Sequence, residues 1–133
     1  MSASVNAASQ RASGTEQLLE VLEDLHAACH DVQLSLIVTQ DGLTMTTMGG
    51  IEAADEERVG ALSAGLLALC RSTARDLGRG EMEQVLLRGD GGYLLLRLAG
   101  SKAVLAVIAR PDANLGMVLL DTQRAAEAVA AVL

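Results

Sequence analysis

The stretch SLIVTQDGLTMTTMGG, residues 35–50, contains two segments in which apolar and polar side chains alternate. This alternation is typical of β-strands with one covered face, and it predicts a strand over residues 33–40 that returns over 43–48. Between the strands lies Asp41-Gly42, and we expect both residues to take the positive φ angles of a two-residue hairpin loop. No catalytic side chain lies in or beside the hairpin. The stretch therefore predicts a scaffold.

Helical patterns flank this hairpin. Upstream, apolar residues recur at three- and four-residue intervals from Leu18 to Cys29, and Thr15 is a suitable cap for the helix. Downstream, residues 54–78 are acidic in the first turn and basic in the last, as the helix dipole favours. The last helix is predicted to run from near Asn114 to Val132.

Three more strands are predicted between the second and the last helix, over residues 83–88, 93–98 and 102–109. Their connections are too short for parallel crossovers, so they form an antiparallel meander. The segments 94–96 and 104–108 are apolar on both faces, which indicates that helices cover both sides of the sheet. The order α-β-β-α-β-β-β-α predicts an α+β sandwich of three layers.

Composition excludes some classes of partner. The chain has 133 residues, a formal charge of -7, one tyrosine, and neither tryptophan nor phenylalanine. Nucleic-acid binding needs a basic surface and benefits from aromatic stacking, so we expect no nucleic-acid partner. No apolar run approaches the length needed to span a bilayer, and the N-terminus lacks a signal-like apolar segment. We expect no membrane insertion and a cytoplasmic location.

The N-terminal segment 1–14 is small and polar and has little to bury. We therefore expect a disordered leader there and a single domain over 15–133. Cys29 and Cys70 each fall within an apolar helical pattern, which favours buried thiols over a disulfide.

The second helix carries two uncharged faces when residues are placed at about 100° intervals. The larger apolar face is expected to contact the sheet: Val59, Leu62, Leu66, Leu69, Cys70, Thr73 and Leu77. The opposite face is made of small residues where a solvated helix would carry charges: Ala61, Ala64, Gly65, Ala68 and Ser72. Small residues at this spacing let two helices approach closely, which predicts contact with a second subunit. The alternative is that an alanine-rich chain places alanines there by chance.

The strand that follows this helix extends the predicted contact. A two-fold axis at the helix would bring this edge strand near its symmetry mate, where strand addition satisfies open hydrogen bonds. We therefore predict a homodimer. Its expected interface residues are Ala61, Ala64, Gly65, Ala68, Ser72, Glu83, Val85 and Leu87.

No enzyme motif is found in the sequence. It contains no phosphate-binding GxxxxGK[ST] loop, no GxGxxG after a strand and no GxSxG elbow. His26 and His30, four residues apart, would suit a metal, but no further ligands are marked, and histidines at a helix end are usually solvated. We predict no catalytic residues, no cofactor and no metal.

Two segments carry a resemblance to a known family. They are LSLIVTQDGLTMTT, residues 34–47, and ALSAGLLALCRSTARDLGRGEMEQVLLRGDGGYLLLRLAGSKAVLAVIARPDANLGMV, residues 61–118. The first has a strand, Asp-Gly and a strand; the second has a β-meander leading through a capped turn to a closing helix that opens with Gly116. In this order and spacing, the whole segment 15–133 resembles the roadblock/dynein light chain family, in particular its bacterial members.

The resemblance implies a fold and a function. The fold is a five-stranded antiparallel sheet with the long second helix on one face and the first and last helices on the other, dimerised through the long helix and the next strand. Family members are non-catalytic regulators or adaptors of small Ras-like GTPases, or light chains of motor complexes, and bacterial ones accompany a sensor kinase and a GTPase. The implied partners are thus a second copy, a small Ras-like GTPase and a sensor kinase complex in signalling.

The implied mechanism is recognition of a GTPase by the paired long helices, which would favour one nucleotide state over the other. At most, the chain would stimulate the hydrolysis that its partner carries out. The expected contacts are polar residues at the margins of this platform: Glu56, Glu57, Arg58, Arg71, Arg75 and Arg79. For any single one of them, ordinary solvation is the alternative. The alternative function is a structural dimer in a signalling or motility assembly without GTPase contact, and a small-ligand sensor ranks third.

Overall fold

The computed structural model describes the backbone of residues 3–133 and the side chains of residues 14–133. The elements follow in the predicted order. They are α1 (Ala3–Ala28), β1 (Val32–Thr39), β2 (Thr44–Met48), α2 (Ala53–Asp76), β3 (Gln84–Gly89), β4 (Gly92–Ala99), β5 (Ala103–Ala109) and α3 (Leu115–Val132). The strands and the last two helices agree with the predicted bounds to within about two residues, since alternation and helical spacing are local signals.

The start of α1 differs from the prediction. The helix begins at Ala3 rather than at Thr15, so Thr15 is not its cap. The segment before Thr15 is rich in alanine and contains no proline, and nothing in it interrupts a helix. The disordered leader over 1–14, and with it the domain boundary, stays a prediction, because the side chains of residues 1–13 lie outside the described part. None of the helices described combines the length and apolar character needed to cross a bilayer.

The five strands form one antiparallel sheet in the order β2-β1-β5-β4-β3. The predicted β3-β4-β5 meander is confirmed, and β3 lies at one edge of the sheet while β2 lies at the other. Pairing fixes the faces: Leu36 is opposite Ala106, and Ala106 is opposite Leu96 on β4. Because side chains alternate along a strand, these three residues share one face of the sheet.

Helices cover both faces, which confirms the three layers. On one side, Leu22 of α1 and Val118 of α3 pack in one cluster with Leu105 of β5, and none of these three residues has exposed surface. On the other side, Leu67 of α2 packs in a second cluster with Leu36 and its neighbours. Among the elements that the structure describes, the long helix is therefore the one that covers this face of the sheet.

The β1–β2 hairpin has a three-residue loop, not the predicted two-residue loop. The backbone N–H of Gly42 donates to the carbonyl of Thr39 at 3.0 Å, and the N–H of Thr39 donates to the carbonyl of Leu43 at 2.8 Å. Gly42 takes a positive φ of 94°, whereas Asp41 does not. A single left-handed glycine after a tight turn is the usual solution for a three-residue loop, so only one of the two expected positive angles is needed.

The orientation of α2 also differs from the prediction. Gly60, Ser63 and Leu67 are the buried residues of this helix, with Val59 and Leu66 half-buried beside them. Four residues that were predicted to contact the sheet are instead exposed: Leu62, Leu69, Thr73 and Leu77. The reason is a close approach between α2 and the β1–β2 hairpin.

Gly60 sets this orientation. A Cβ at Gly60 would lie 2.7 Å from the carbonyl oxygen of Gly42 and 3.2 Å from Oγ1 of Thr44. The helix thus touches the hairpin with its smallest residue, which lets the two backbones come closer than a leucine side chain would allow. Leu62, Leu69 and Leu77 are consequently turned to the flank and the outer side of α2, while Leu67 packs on the sheet.

A polar contact joins the α1–β1 turn to the β5–α3 loop. Nη2 of Arg110 donates to Oδ1 of Asp31 at 2.9 Å, and the backbone N–H of Asn114 donates to Oδ2 at the same distance. The Asn114 N–H and the Arg110 guanidinium together lower the pKa of Asp31 from its ordinary value. Asn114 in turn caps α3 by accepting from the N–H of Met117 at 3.2 Å, as predicted for this turn.

Candidate interaction surface

The outer side of α2 presents large apolar side chains. Leu62, Leu69 and Leu77 are each 66% exposed, and Leu87 on the adjacent strand β3 is 48% exposed. A group of exposed leucines on one side of a small domain is characteristic of surfaces that contact other molecules. We name this one the α2–β3 surface, and it consists of Ala61, Leu62, Gly65, Ala68, Leu69, Ser72, Thr73, Leu77, Val85 and Leu87.

The predicted interface residues lie on or beside this surface. Ala61, Gly65, Ala68 and Ser72 are exposed on the outer side of α2, and a Cβ built at Gly65 would meet no atom within 4 Å. Ala64 is half-buried and faces the hairpin, where it approaches Gly42. The structure thus separates Ala64 from the other small residues and places exposed leucines beside them.

The β3 members of the predicted interface take different positions. Glu83 is exposed just before the strand, Val85 is half-buried and Leu87 is exposed. Val85 and Leu87 pair with Leu96 and Leu94 of β4, which lie on the α2 side of the sheet. β3 pairs with β4 alone among the described strands, so one row of its backbone groups is open for strand addition. Whether these residues form a dimer interface stays a prediction.

A groove separates α2 from the β3–β4 hairpin. Its volume is about 330 Å³, and its walls are mainly apolar, with Val59 and Leu62 on one side and Leu87 and Leu94 on the other. The buried hydroxyl of Ser63 lies at this groove and has no hydrogen-bond partner in the part of the chain that the structure describes. The groove continues the α2–β3 surface inward.

No charged residue interrupts α2 between Arg58 and Arg71. The six predicted GTPase contacts consequently fall into two groups at the two ends of the helix. Glu56, Glu57 and Arg58 lie in its first turns, and Arg71, Arg75 and Arg79 lie at its end or just beyond. With a rise of about 1.5 Å per residue, roughly 20 Å of helix separates the two groups.

Several of these charged residues already have partners within the chain. Arg58 pairs with Asp55 at 2.8 Å, and Arg75 lies 3.5 Å from Glu81. Arg71 is half-buried and donates from Nη1 to Oε1 of Gln40 at 2.9 Å, which links α2 to the hairpin loop. The pairs of Arg58 and Arg75 are exposed and therefore weak enough to be exchanged for a partner's groups.

His26 has a structural contact. Its Nε2 lies 2.8 Å from Oγ of the buried Ser35, which joins α1 to β1. Burial lowers the pKa of His26 from its ordinary value. His30 is exposed, and no group of three or more histidine, cysteine or carboxylate side chains that could hold a metal occurs among the described residues.

The exposed leucines of α2 are the residues of this surface whose position was predicted incorrectly from the sequence. Because leucine side chains are large and apolar, they were predicted to contact the sheet. The spacing of Gly60, Ser63, Leu67 and Ala74, at intervals of three, four and seven, marks the side that does so, and all four are buried or half-buried. This signal is visible in the sequence but weak, because only one of the four side chains is large.

Comparisons with known proteins identify the family. The Roadblock/LC7 domain model matches residues 18–109. An uncharacterized protein of Methanocaldococcus jannaschii is 32% identical over 100 residues, covering 74% of this chain and 84% of the relative. The gliding protein MglB of Thermus thermophilus superimposes with a TM-score of 0.82 at 24% identity over 90% of both chains. A Roadblock/LC7 domain of Streptomyces avermitilis gives 0.75 at 25% identity, covering 80% of this chain and 89% of the other. The chain therefore belongs to the Roadblock/LC7 domain family.

Proposed function

We propose that this chain is a non-catalytic regulator or adaptor that acts as a homodimer and binds a small Ras-like GTPase in the cytoplasm. The observation that carries the proposal is the α2–β3 surface, which is exposed, apolar and uncharged in a chain of the Roadblock/LC7 domain family. A surface of this composition is suited to contact with another protein.

The first partner in the proposal is a second copy of the chain. In a two-fold dimer the same surface meets itself, so the patch must be self-complementary. Here the small residues Gly65 and Ala68 leave space beside the protruding Leu62 and Leu69. Pairing of the open β3 edges on the same axis extends the sheet across the dimer.

The second partner in the proposal is the GTPase. Pairing of two α2 helices brings the charged groups at their ends to the margins of a dimeric platform. The acidic pair Glu56 and Glu57 and the basic residues Arg75 and Arg79 then frame an uncharged centre. Charges at a rim steer association and fix orientation more than they add affinity. Preferential binding of one nucleotide state shifts the GTPase toward that state.

The dimer is tested by sedimentation equilibrium of the full chain. Leu69→Glu places a charge at the centre of the α2–β3 surface, and we expect it to shift the protein to a monomer while the circular dichroism spectrum is retained. Leu120→Glu on α3 is the matched control, because Leu120 is comparably apolar and 42% exposed but lies outside the surface. A wild-type monomer, or a Leu69→Glu dimer of unchanged affinity, contradicts the proposal.

The GTPase contact is tested by affinity capture from native extract loaded with GDP or with a non-hydrolysable GTP analogue. We expect a small GTPase to be retained in one nucleotide state, and the double variant Arg75→Glu, Arg79→Glu to retain less of it. Equal retention in both states, or no GTPase at all, overturns this part. A kinase or structural protein retained without regard to nucleotide favours the alternative, a structural dimer within a larger assembly.

A further inference from the structure

A cavity of about 270 Å³ lies between α1 and α3, on the side of the sheet opposite α2. Small side chains on both helices leave this space. Its apolar walls are formed by Val21, Leu25 and Ala28 of α1 and by Ala125 and Ala128 of α3. Three charged residues complete the lining: Asp24, Asp121 and Arg124.

Asp121 is the unusual member of this lining. The residue is only 6% exposed, and its Oδ2 has neither appreciable contact with solvent nor a hydrogen-bond partner among the described residues. Among the described residues, the cationic group beside Asp121 is the guanidinium of Arg124. Its Nη1 lies 3.7 Å from Oδ1 of Asp121, which is beyond hydrogen-bond distance. A buried carboxylate whose cationic neighbour lies beyond hydrogen-bond distance is incompletely neutralised. Because Asp121 lines the cavity, a cationic donor bound there can pair with the carboxylate once the carboxyl group rotates toward it.

The rest of the cavity restricts what that donor can be. Asp24 adds a second carboxylate at the exposed rim, while the Arg124 side chain is 69% exposed and is directed largely to solvent. Two carboxylates supply too few oxygen ligands for a metal ion. A single cationic group that donates hydrogen bonds, in contrast, can pair with both of them. The volume is below the usual range for drug-sized ligands, so it fits one short chain with a polar head.

We propose that this α1–α3 cavity binds an alkylammonium or alkylguanidinium cation, whose head pairs with Asp121 and whose apolar stem lies against the leucine and alanine walls. The same group is present in a free organic amine and in a lysine or arginine side chain of a partner protein. The cavity is on the far side of the sheet from the α2–β3 surface, so binding does not require the dimer or the GTPase contact proposed above.

The test is an NMR titration of the full-length, isotope-labelled chain with n-butylguanidinium, using n-butanol and butyrate as neutral and anionic probes of similar stem. We expect saturable shifts for the cation alone, in amides of residues 21–28 and 121–128. Asp121→Asn is expected to weaken binding by roughly tenfold or more, since it removes a charge-assisted hydrogen bond. Arg124→Gln is expected to strengthen binding, because it removes the competing cation.

Two further variants keep the test decisive. Asp90→Asn, at the exposed β3–β4 turn, removes one negative charge away from the cavity and should retain wild-type affinity. Ala128→Leu fills the cavity from its rim with Asp121 intact, so loss of binding by this variant supports the proposal even if Asp121→Asn does not fold. Absence of saturable shifts with the cation, equal binding of butanol, or wild-type affinity in folded Asp121→Asn or Ala128→Leu overturns it.

A last titration distinguishes the two sources of the cation. A short peptide with one arginine between alanines is added in place of butylguanidinium. If the same amides shift, the cavity accepts a side chain of a partner protein. If only the free cation produces the shifts, the cavity is a site for a small amine.

Discussion

At the scale of single residues, Gly60 is a point of close approach between α2 and the β1–β2 hairpin. We expect Gly60→Ala to destabilise the protein, because the new Cβ would lie 2.7 Å from the carbonyl oxygen of Gly42 and the helix would have to shift. Crowding of this kind costs about 1–3 kcal/mol, against a gain of about 1 kcal/mol from alanine in a helix. The net loss should appear in chemical denaturation at a fixed protein concentration.

Gly14→Ala is the matched control for this substitution. Gly14 also lies in a helix, but a Cβ there meets no atom within 4 Å. The control should therefore gain up to about 1 kcal/mol in the free energy of unfolding. Equal stability changes for Gly60→Ala and Gly14→Ala would show that the approach to the hairpin does not restrict α2.

His26 gives a prediction on pH dependence. Burial lowers its pKa below 6.5, so the unfolded chain binds a proton more readily than the folded chain as the pH falls through this region. The free energy of unfolding is therefore expected to decrease as the pH falls below about 6.5. Denaturation at several pH values should show a shallower decrease for His26→Gln than for the wild type. His30→Gln, which leaves the contact between His26 and Ser35 in place, should retain the contribution of His26.

At the scale of elements, Asp31 joins two connections that meet at one end of the sheet. Its carboxylate accepts from Arg110 and from the backbone of Asn114, and these donors lower its pKa below the ordinary 3.8. The stabilisation is fully present above the ordinary pKa and is lost as the pH falls through the lower folded value. We expect Asp31→Asn to lower the melting temperature at neutral pH.

The difference in melting temperature between Asp31→Asn and the wild type should diminish in acid, because the wild-type carboxyl is then protonated as well. Asp112→Asn is the control, an exposed carboxylate in the same loop region. A melting temperature of Asp31→Asn that equals that of Asp112→Asn at neutral pH would contradict a role for this contact in holding the α1–β1 turn to the start of α3.

The element α2 shows where prediction from sequence succeeded and where it did not. Its bounds were correct to within about two residues, because capping, dipole charges and helical period are local. Its orientation was wrong for Leu62, Leu69 and Leu77, because the side that faces the sheet depends on how closely Gly60 approaches Gly42. The outer small residues Gly65 and Ala68 were identified correctly as an uncharged exposed face, and the leucines beside them were not.

At the scale of the whole molecule, the uncharged α2–β3 surface leads to a prediction on salt. Each copy carries a formal charge of -7, so two copies repel at long range while their proposed contact contains few charges. Raising the salt from about 50 to about 500 mM screens this repulsion and should leave the dimer equally tight or tighter. Sedimentation equilibrium at both concentrations measures the effect. A dimer that dissociates as salt increases would indicate an interface built on ion pairs instead.

By itself, the sequence determined the order of the elements, the antiparallel sheet, its helical layers and the absence of enzyme motifs. These follow from periodicity, loop length and motif spacing, which neighbouring residues express without reference to the rest of the chain. Only the tertiary structure decided that α2 turns Leu62, Leu69 and Leu77 outward, and that Asp121 is buried beside a cavity with no hydrogen-bond donor to its Oδ2 among the described residues. Both features depend on distances between residues far apart in the chain, where a single glycine or alanine sets how closely two elements pack.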